Sequence, residues 1–203
     1  MRLAESKKYE ILNEIAEKEG IIIFGGSEDC EIPLGELRQA FAIDEKMYNR
    51  SIEGLSVKDA RAEYTECVEA LAPEAVLLHI GAADLVAFEE NPLEFDNKYR
   101  ELIEHIKTRN QKCRIAVVSL RNYDNDPVIS NMNTHLKYIA ESENCEYGDI
   151  ANRRVWNPKN TKDAVEFVYS IGFVRSLKNK RSMYDLVKIL FLECFSVSGT
   201  GRR

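Results

Sequence analysis

The chain has 203 residues, which at roughly 150 residues per domain makes one well-filled domain the first expectation. Lys and Arg total 28 against 34 Asp and Glu, a formal charge of −6, so no general positive field exists to hold a nucleic-acid backbone. Hydrophobic residues at 44% and charged residues at 31% exclude wholesale disorder and low-complexity architecture.

The opening stretch, MRLAESKKYEILNEIAEKEG, is charged throughout and has no apolar run of the signal-peptide kind. Tyr9, Ile11, Leu12, Ile15 and Ala16 within it read as the apolar stripe of a helix that faces a core. Strands suited to a parallel sheet covered on both faces follow at Ile21 to Phe24, Lys46 to Asn49, Ala75 to Ile80, Arg114 to Ser119 and, more weakly, Cys145 to Gly148. Between the second and third strands, Val57, Ala60, Tyr64, Cys67, Val68 and Leu71 form a second helical stripe, with Ser56 as N-cap. Asn91-Pro92 and Asp126-Pro127 each announce a helix start by a capping residue followed by proline. Thr161 to Phe173 and Ser182 to Phe195 also read as helices, separated by the basic stretch Arg175 to Arg181. The apolar run Ile189 to Phe195 is interrupted by Glu193 and falls far short of the ~20 residues needed to cross a bilayer.

Strands alternating with helices imply right-handed βαβ units and a single three-layer α/β/α sandwich. Five visible strands favour a flavodoxin-like parallel sheet of order 2-1-3-4-5 over the Rossmann order. The expected division is an N-terminal helix over 1–19 packed on a domain spanning 20–195, with a loose tail at 196–203. The five cysteines, Cys30, Cys67, Cys113, Cys145 and Cys194, contain no C-x-x-C pair and no histidine at ligand spacing. They read as reduced, mostly buried thiols of a cytoplasmic protein, with no metal and no cofactor expected.

Ligands of such sheets bind outside the carboxyl ends of the strands. The first of these loops is Gly25-Gly26-Ser27-Glu28-Asp29-Cys30. Its glycines would let the backbone turn sharply and expose Ser27 as a nucleophile, or Ser27 caps the next helix in an ordinary tight turn. After the second strand comes Tyr48-Asn-Arg-Ser-Ile-Glu-Gly54-Leu-Ser56, and after the third His79-Ile-Gly81-Ala-Ala83-Asp84-Leu85. In this order and context the three segments resemble the first three sequence blocks of the SGNH/GDSL hydrolases: Gly-Asp-Ser with a Gly-Gly-Ser variant, Asn-x-Gly-x-x-Gly, and Gly-x-Asn-Asp.

The resemblance implies a flavodoxin-like sandwich and cleavage of esters. By position, Ser27 would be the nucleophile, and the backbone N–H groups of Ser27 and Gly54 would be donors of the oxyanion hole. The third donor of that family is an asparagine side chain, replaced here by Ala83, which cannot donate. Asp84 reads as a cap or turn-former. The family's terminal Asp-x-x-His corresponds to Arg175 and Lys178, and the three histidines, His79, His105 and His135, leave none after residue 135. His79 sits in a strand one residue before the turn, while His105 and His135 read as surface or packing residues of helices. Loss of the base of a serine triad costs on the order of 10⁶ in turnover, and loss of a side-chain oxyanion donor ~10² to 10³.

The leading expectation is therefore an inactive or strongly attenuated pseudo-hydrolase that binds a small ester- or carbohydrate-type ligand or a protein partner, with no nucleic acid and no membrane span. The alternative is an active ester hydrolase in which Lys178 or Asp29 serves Ser27 as base. A flavin-binding or phospho-receiver role is poorly supported, since the Ser27 loop makes a poor anion nest. Glu28 and Asp29 form an acidic mouth, and opposing it with Arg175 and Lys178 would create an ion pair that closes the pocket.

Overall fold

Three consecutive isoleucines, Ile21 to Ile23, begin a strand that is buried along its whole length, a placement to which β-branched side chains are suited. This strand, β1 (Ile21–Gly25), pairs in parallel with β2 (Met47–Asn49) on one side and β3 (Ala75–His79) on the other. The computed structural model describes residues 2–30, 32, 34–40, 45–122 and 124–151. The sheet continues through β4 (Arg114–Val118) to β5 (Glu146–Gly148), so the order is 2-1-3-4-5 and every pairing is parallel, as the sequence predicts.

The connecting helices are α1 (Arg2–Ile15), α2 (Leu34–Ala40), α3 (Val57–Cys67), α4 (Leu85–Glu90), α5 (Pro92–Arg109) and α6 (Pro127–Ser142). Right-handed crossovers carry α2 over one face of the sheet and α3, α5 and α6 over the other. On the latter face Phe24, Val76, Leu78, Ile80 and Val117 meet Tyr64, Tyr99, Leu102 and Leu136 in the main core. The α3 stripe is buried as expected from Val57 through Leu71. Neither α2 nor α4 is foreseen in the sequence, because each is too short to display a helical period.

The caps agree with the sequence in position and partly in chemistry. Asn91 accepts from the Glu94 N–H and Asp126 from those of Val128 and Ile129. Ser56 occupies the N-cap of α3, but its hydroxyl donates to the Asp59 carboxylate at 3.0 Å. The Val57 N–H at that helix end is satisfied instead by the carboxylate of Asp84, at 3.0 and 3.2 Å.

The α1 stripe is a correction. Tyr9 is buried, but Ile11 and Ile15 are 66% and 80% exposed. At 3.6 residues per turn Ile11 lies about 200° around the helix from Tyr9, so the two cannot share a face. Polar tethers choose the buried face: Ser6 donates to Glu63, Tyr9 to the Ser51 carbonyl and Asn13 to the Cys67 carbonyl. The buried Arg50 guanidinium lies 5.2 Å from the Tyr9 ring centroid and 5.4 Å from that of Tyr48, and its Nε donates to Asn13 at 2.9 Å. Burial lowers the pKa of Arg50 from its ordinary value.

Cys67 and Cys113 are buried, Cys30 and Cys145 partly so, and all four are free thiols. Burial pushes the Cys67 thiol up to about 11 and that of Cys113 to about 12. No described helix is long and apolar enough to cross a membrane. The helices expected at Thr161 to Phe173 and Ser182 to Phe195, the tail and Cys194 lie outside the described residues.

Candidate active-site cleft

Ser27 opens a single 3-10 turn, Ser27–Asp29, directly above β1, and its side chain is exposed at the carboxyl end of the sheet. The loop after β2 is stapled beneath it. The Ile52 N–H donates to the Gly25 carbonyl at 3.0 Å, and the Gly25 N–H donates to the Ser51 hydroxyl at 3.2 Å. The Asn49 amide donates to the Asp29 carbonyl at 2.7 Å while its oxygen accepts from the Ser51 N–H. These bonds bring Gly54, whose φ of 64° is the left-handed conformation that favours glycine, to Ser27. The Gly54 N–H then donates to the Ser27 hydroxyl oxygen at 2.9 Å. The two residues that the family resemblance pairs therefore meet.

Of the two glycines before Ser27, only the first is sterically required. Gly26 is extended, and a Cβ there would meet open space. At Gly25 an added Cβ would lie 1.9 Å from Asp29 Oδ2. Gly25 sits in register beside His79 on β3, so their side-chain directions coincide. The space that a residue-25 side chain would fill is taken by the Asp29 carboxylate, whose oxygens both lie 2.9 Å from His79 Nδ1. A carboxylate only accepts, so Nδ1 is the donor. Asp29 is 0% exposed and His79 4%.

This pair corrects two expectations. Asp29 lines the Ser27 cavity but is fully buried rather than part of an exposed acidic mouth, and its carboxylate is committed to His79 rather than to the Ser27 hydroxyl. Among the described residues, the hydrogen bond of the Ser27 hydroxyl is the one from Gly54. The Nδ1 to carboxylate bond is of the kind that orients the histidine in a serine triad; here it joins the turn after β1 to the last residue of β3, and both partners line the cavity that Ser27 lines.

The other acid also finds an unexpected partner. Glu28 accepts from Arg121 Nη1 at 2.9 Å. Arg121 follows β4, and its side chain is 7% exposed against 51% for Glu28. An ion pair does span the mouth of the cleft, but its cation comes from the β4 end. Arg175 and Lys178, the cations expected there and at the replaced dyad, lie outside the described residues.

The third loop also reaches the Ser27 cavity. Gly81 has φ 137°, and a Cβ there would approach Met132 Sδ to 2.9 Å. Ala83 follows within the 3-10 turn Ala82–Asp84 and is exposed. It lines a cavity of about 130 Å³ together with Gly26, Ser27, Glu28, Gly54, His79 and Leu120. The Ala83 side chain is a methyl group, which cannot donate a hydrogen bond. Asp84 is structural, as expected: it joins this loop to the start of α3.

His105 Nε2 lies 3.0 Å from Glu69 and 3.1 Å from the Thr65 hydroxyl, and His135 Nδ1 lies 2.9 Å from Asp96. Both belong to helix packing, away from the cleft. Among the described residues, no group of three or more His, Cys, Asp or Glu side chains could hold a metal ion. His79 and Arg121 are the site residues that sequence reasoning missed. The available signal was a polar residue at the end of an otherwise apolar strand: His79 after Ala75 to Leu78, and Arg121 just after Arg114 to Leu120.

The fold and the placing of Ser27 define the class: this is the SGNH/GDSL hydrolase fold. A GDSL-like lipase from Bacteroides thetaiotaomicron is 18% identical, with TM-score 0.56, over 71% of this chain and 77% of that one. A candidate platelet activating factor from Streptococcus pneumonia matches over 83% of this chain and 92% of its own, at 17% identity and TM-score 0.64. An acetylxylan esterase from Geobacillus stearothermophilus matches at 20% identity and TM-score 0.52, covering 67% of this chain and 78% of that one. No family model and no curated protein matches the sequence.

Proposed function

We propose that the protein is a pseudo-hydrolase: an SGNH-like domain that binds an ester-like ligand at Ser27 and Gly54 with little or no turnover. The observation that carries this reading is the absence of any histidine after His135, which removes the base the fold supplies from its C-terminal end. Two further features support it. Ala83 presents a methyl group in the Ser27 cavity, and the Asp29 carboxylate is buried against His79. The donors that survive, the Gly54 N–H among them, suit recognition of a carbonyl oxygen without activating the hydroxyl beside it.

Purified protein assayed with p-nitrophenyl acetate and butyrate should show no hydrolysis that Ser27→Ala abolishes. A clear Ser27-dependent rate would refute the reading and revive an active esterase with a non-standard base.

A further inference from the structure

A hollow of about 600 Å³ lies at the end of the sheet opposite the Ser27 cleft. Glu19 before β1, Pro73 and Glu74 before β3, Lys112 before β4 and the end of α5 at Arg109 border it. Five-residue strands rising about 3.3 Å per residue set it roughly 16 Å from the Ser27 turn. Its walls are tied by their own hydrogen bonds. The Glu19 N–H donates to the Leu71 carbonyl and the Glu74 N–H to the Gly20 carbonyl, both at 3.0 Å, and the Asn110 amide donates to the Pro73 carbonyl at 2.8 Å. The hollow is thus preformed, and its volume falls within the range of about 300 to 1,000 Å³ that small-molecule sites span.

Two features distinguish it from an ordinary surface depression. Tyr64 is 1% exposed and its ring meets Phe24 and His105 edge to face, yet among the described residues its hydroxyl has no hydrogen-bond partner and is not sealed off. That hydroxyl opens into the hollow that Tyr64 lines. Burial, followed by the neighbouring Cys113 and Glu69, raises its pKa, so it remains a donor as well as an acceptor. The second feature is backbone strain. Among the described residues four that are not glycine have positive φ. Asn125 and Asn144 are of a type that tolerates it, whereas Glu19 at 62° and Ala72 at 45° are not, and both of these border the hollow. Strain of this kind collects at ligand clamps.

The charges restrict what fits. Glu69 is held by His105 Nε2 at 3.0 Å and by Arg109 Nε at 3.4 Å. Glu19 and Glu74 supply further carboxylates, Lys112 an ammonium, and the 59% exposed Arg109 side chain its remaining N–H donors. An anion would meet three carboxylates, a simple cation would meet Arg109 and Lys112, and a hydrocarbon would strip water from all five. A molecule that carries both signs satisfies both sets, and Ala72 and Pro73 remain for an apolar body. The carboxylates do not converge on a metal ion, since no described group of three or more His, Cys, Asp or Glu side chains could hold one.

We propose that this hollow binds a free α-amino acid with an apolar side chain, its carboxylate taken by Arg109, Lys112 and the Tyr64 hydroxyl and its ammonium by Glu19 and Glu74. The site is separate from the Ser27 cleft and does not depend on how that cleft is read.

Titration of the ¹⁵N-labelled full chain with L-leucine, L-methionine and L-phenylalanine, followed by amide chemical shifts, tests it. At least one of the three should shift Glu19, Ala72, Glu74 and Lys112 and leave Ser27 and Gly54 unmoved. Taking one charge from the ligand removes its charge-assisted contacts. The corresponding acid and amine, 4-methylpentanoate and 3-methylbutylamine in the case of leucine, should therefore each bind at least about tenfold more weakly. Tyr64→Phe keeps the ring and removes the hydroxyl, and should cost at least about threefold in affinity. Lys112→Gln and Glu74→Gln, both at exposed positions, should each cost as much. The proposal is overturned if none of the three amino acids binds, if the single-charge analogues bind as tightly, if the shifts fall at the Ser27 cleft, or if binding is indifferent to all three variants. Ser27-dependent ester hydrolysis would overturn the pseudo-hydrolase reading while leaving this binding result standing.

Discussion

Replacing Gly25 with alanine tests whether the buried Asp29–His79 pair holds the nucleophile turn in place. The added Cβ would lie 1.9 Å from Asp29 Oδ2, 2.8 Å from its Cγ and 3.0 Å from the His79 carbonyl oxygen. Non-bonded heavy atoms settle at about 3.5 to 4.0 Å, so the carboxylate must retreat by roughly 1.5 Å. Such a move breaks both 2.9 Å approaches to His79 Nδ1. Separating a buried pair costs about 3 to 5 kcal/mol when both partners are charged, and a hydrogen bond to one charged group about 1.5 to 3. Gly25→Ala is therefore expected to cost about 3 kcal/mol. Asp29→Ala should cost about as much, because it removes the acceptor from the buried His79 Nδ1. In the double variant the clash with the carboxylate is gone and the 3.0 Å approach to the His79 carbonyl remains, so the cost of the double variant should fall short of the sum of the two single costs by about 2 kcal/mol. Urea unfolding of the four proteins at pH 7, followed by far-ultraviolet circular dichroism, gives the cycle. Additivity within about 0.5 kcal/mol, or a Gly25→Ala cost below about 1 kcal/mol, would refute the reasoning.

Alkaline pH should destabilise the fold through its thiols. Burial pushes Cys67 and Cys145 up to about 11 and Cys113 to about 12, against an ordinary ~8.5 for an unfolded cysteine. Above that lower value the unfolded chain loses protons that the folded chain keeps, so stability falls as pH rises, by at most about 1.4 kcal/mol per unit for each thiol. A melting temperature that stays level from pH 8 to 10.5 would contradict this, as would rapid native-state alkylation of Cys67 or Cys113 at pH 8. Arg50→Ala should cost about 2 to 3 kcal/mol, because it removes two ring contacts and the bond to Asn13. Arg50→Lys should recover less than half of that, since an ammonium cannot lie flat between Tyr9 and Tyr48 while donating sideways to Asn13. Full recovery in chemical denaturation would show that charge alone docks α1.

The features legible in the sequence are those set by a local pattern. Five apolar runs closed by turn residues establish the strands, and the crossover rule with the visible strand count leads to their order. Ser27, Gly54 and Ala83 were placed by short motifs that follow those strands, and they do line one cavity. The illegible features depend on lateral register. Nothing near Asp29 announces that a histidine fifty residues later will stand beside Gly25; only the pairing of β1 with β3 does that. The same limit hid the Glu28 partner: Arg121 is a single residue that the β1-β3-β4 order brings across the cleft.

Once the register is known, the loop after β1 has a different meaning. Gly25 and Asp29 form one steric unit, in which the glycine exists to admit the carboxylate. Asp29 and Glu28 then cease to be an acidic rim, since one is buried against His79 and the other is paired with Arg121. Each acid that follows Ser27 in the cavity lining is thus held by a cationic or imidazole partner brought from another strand, Asp29 by His79 of β3 and Glu28 by Arg121 after β4.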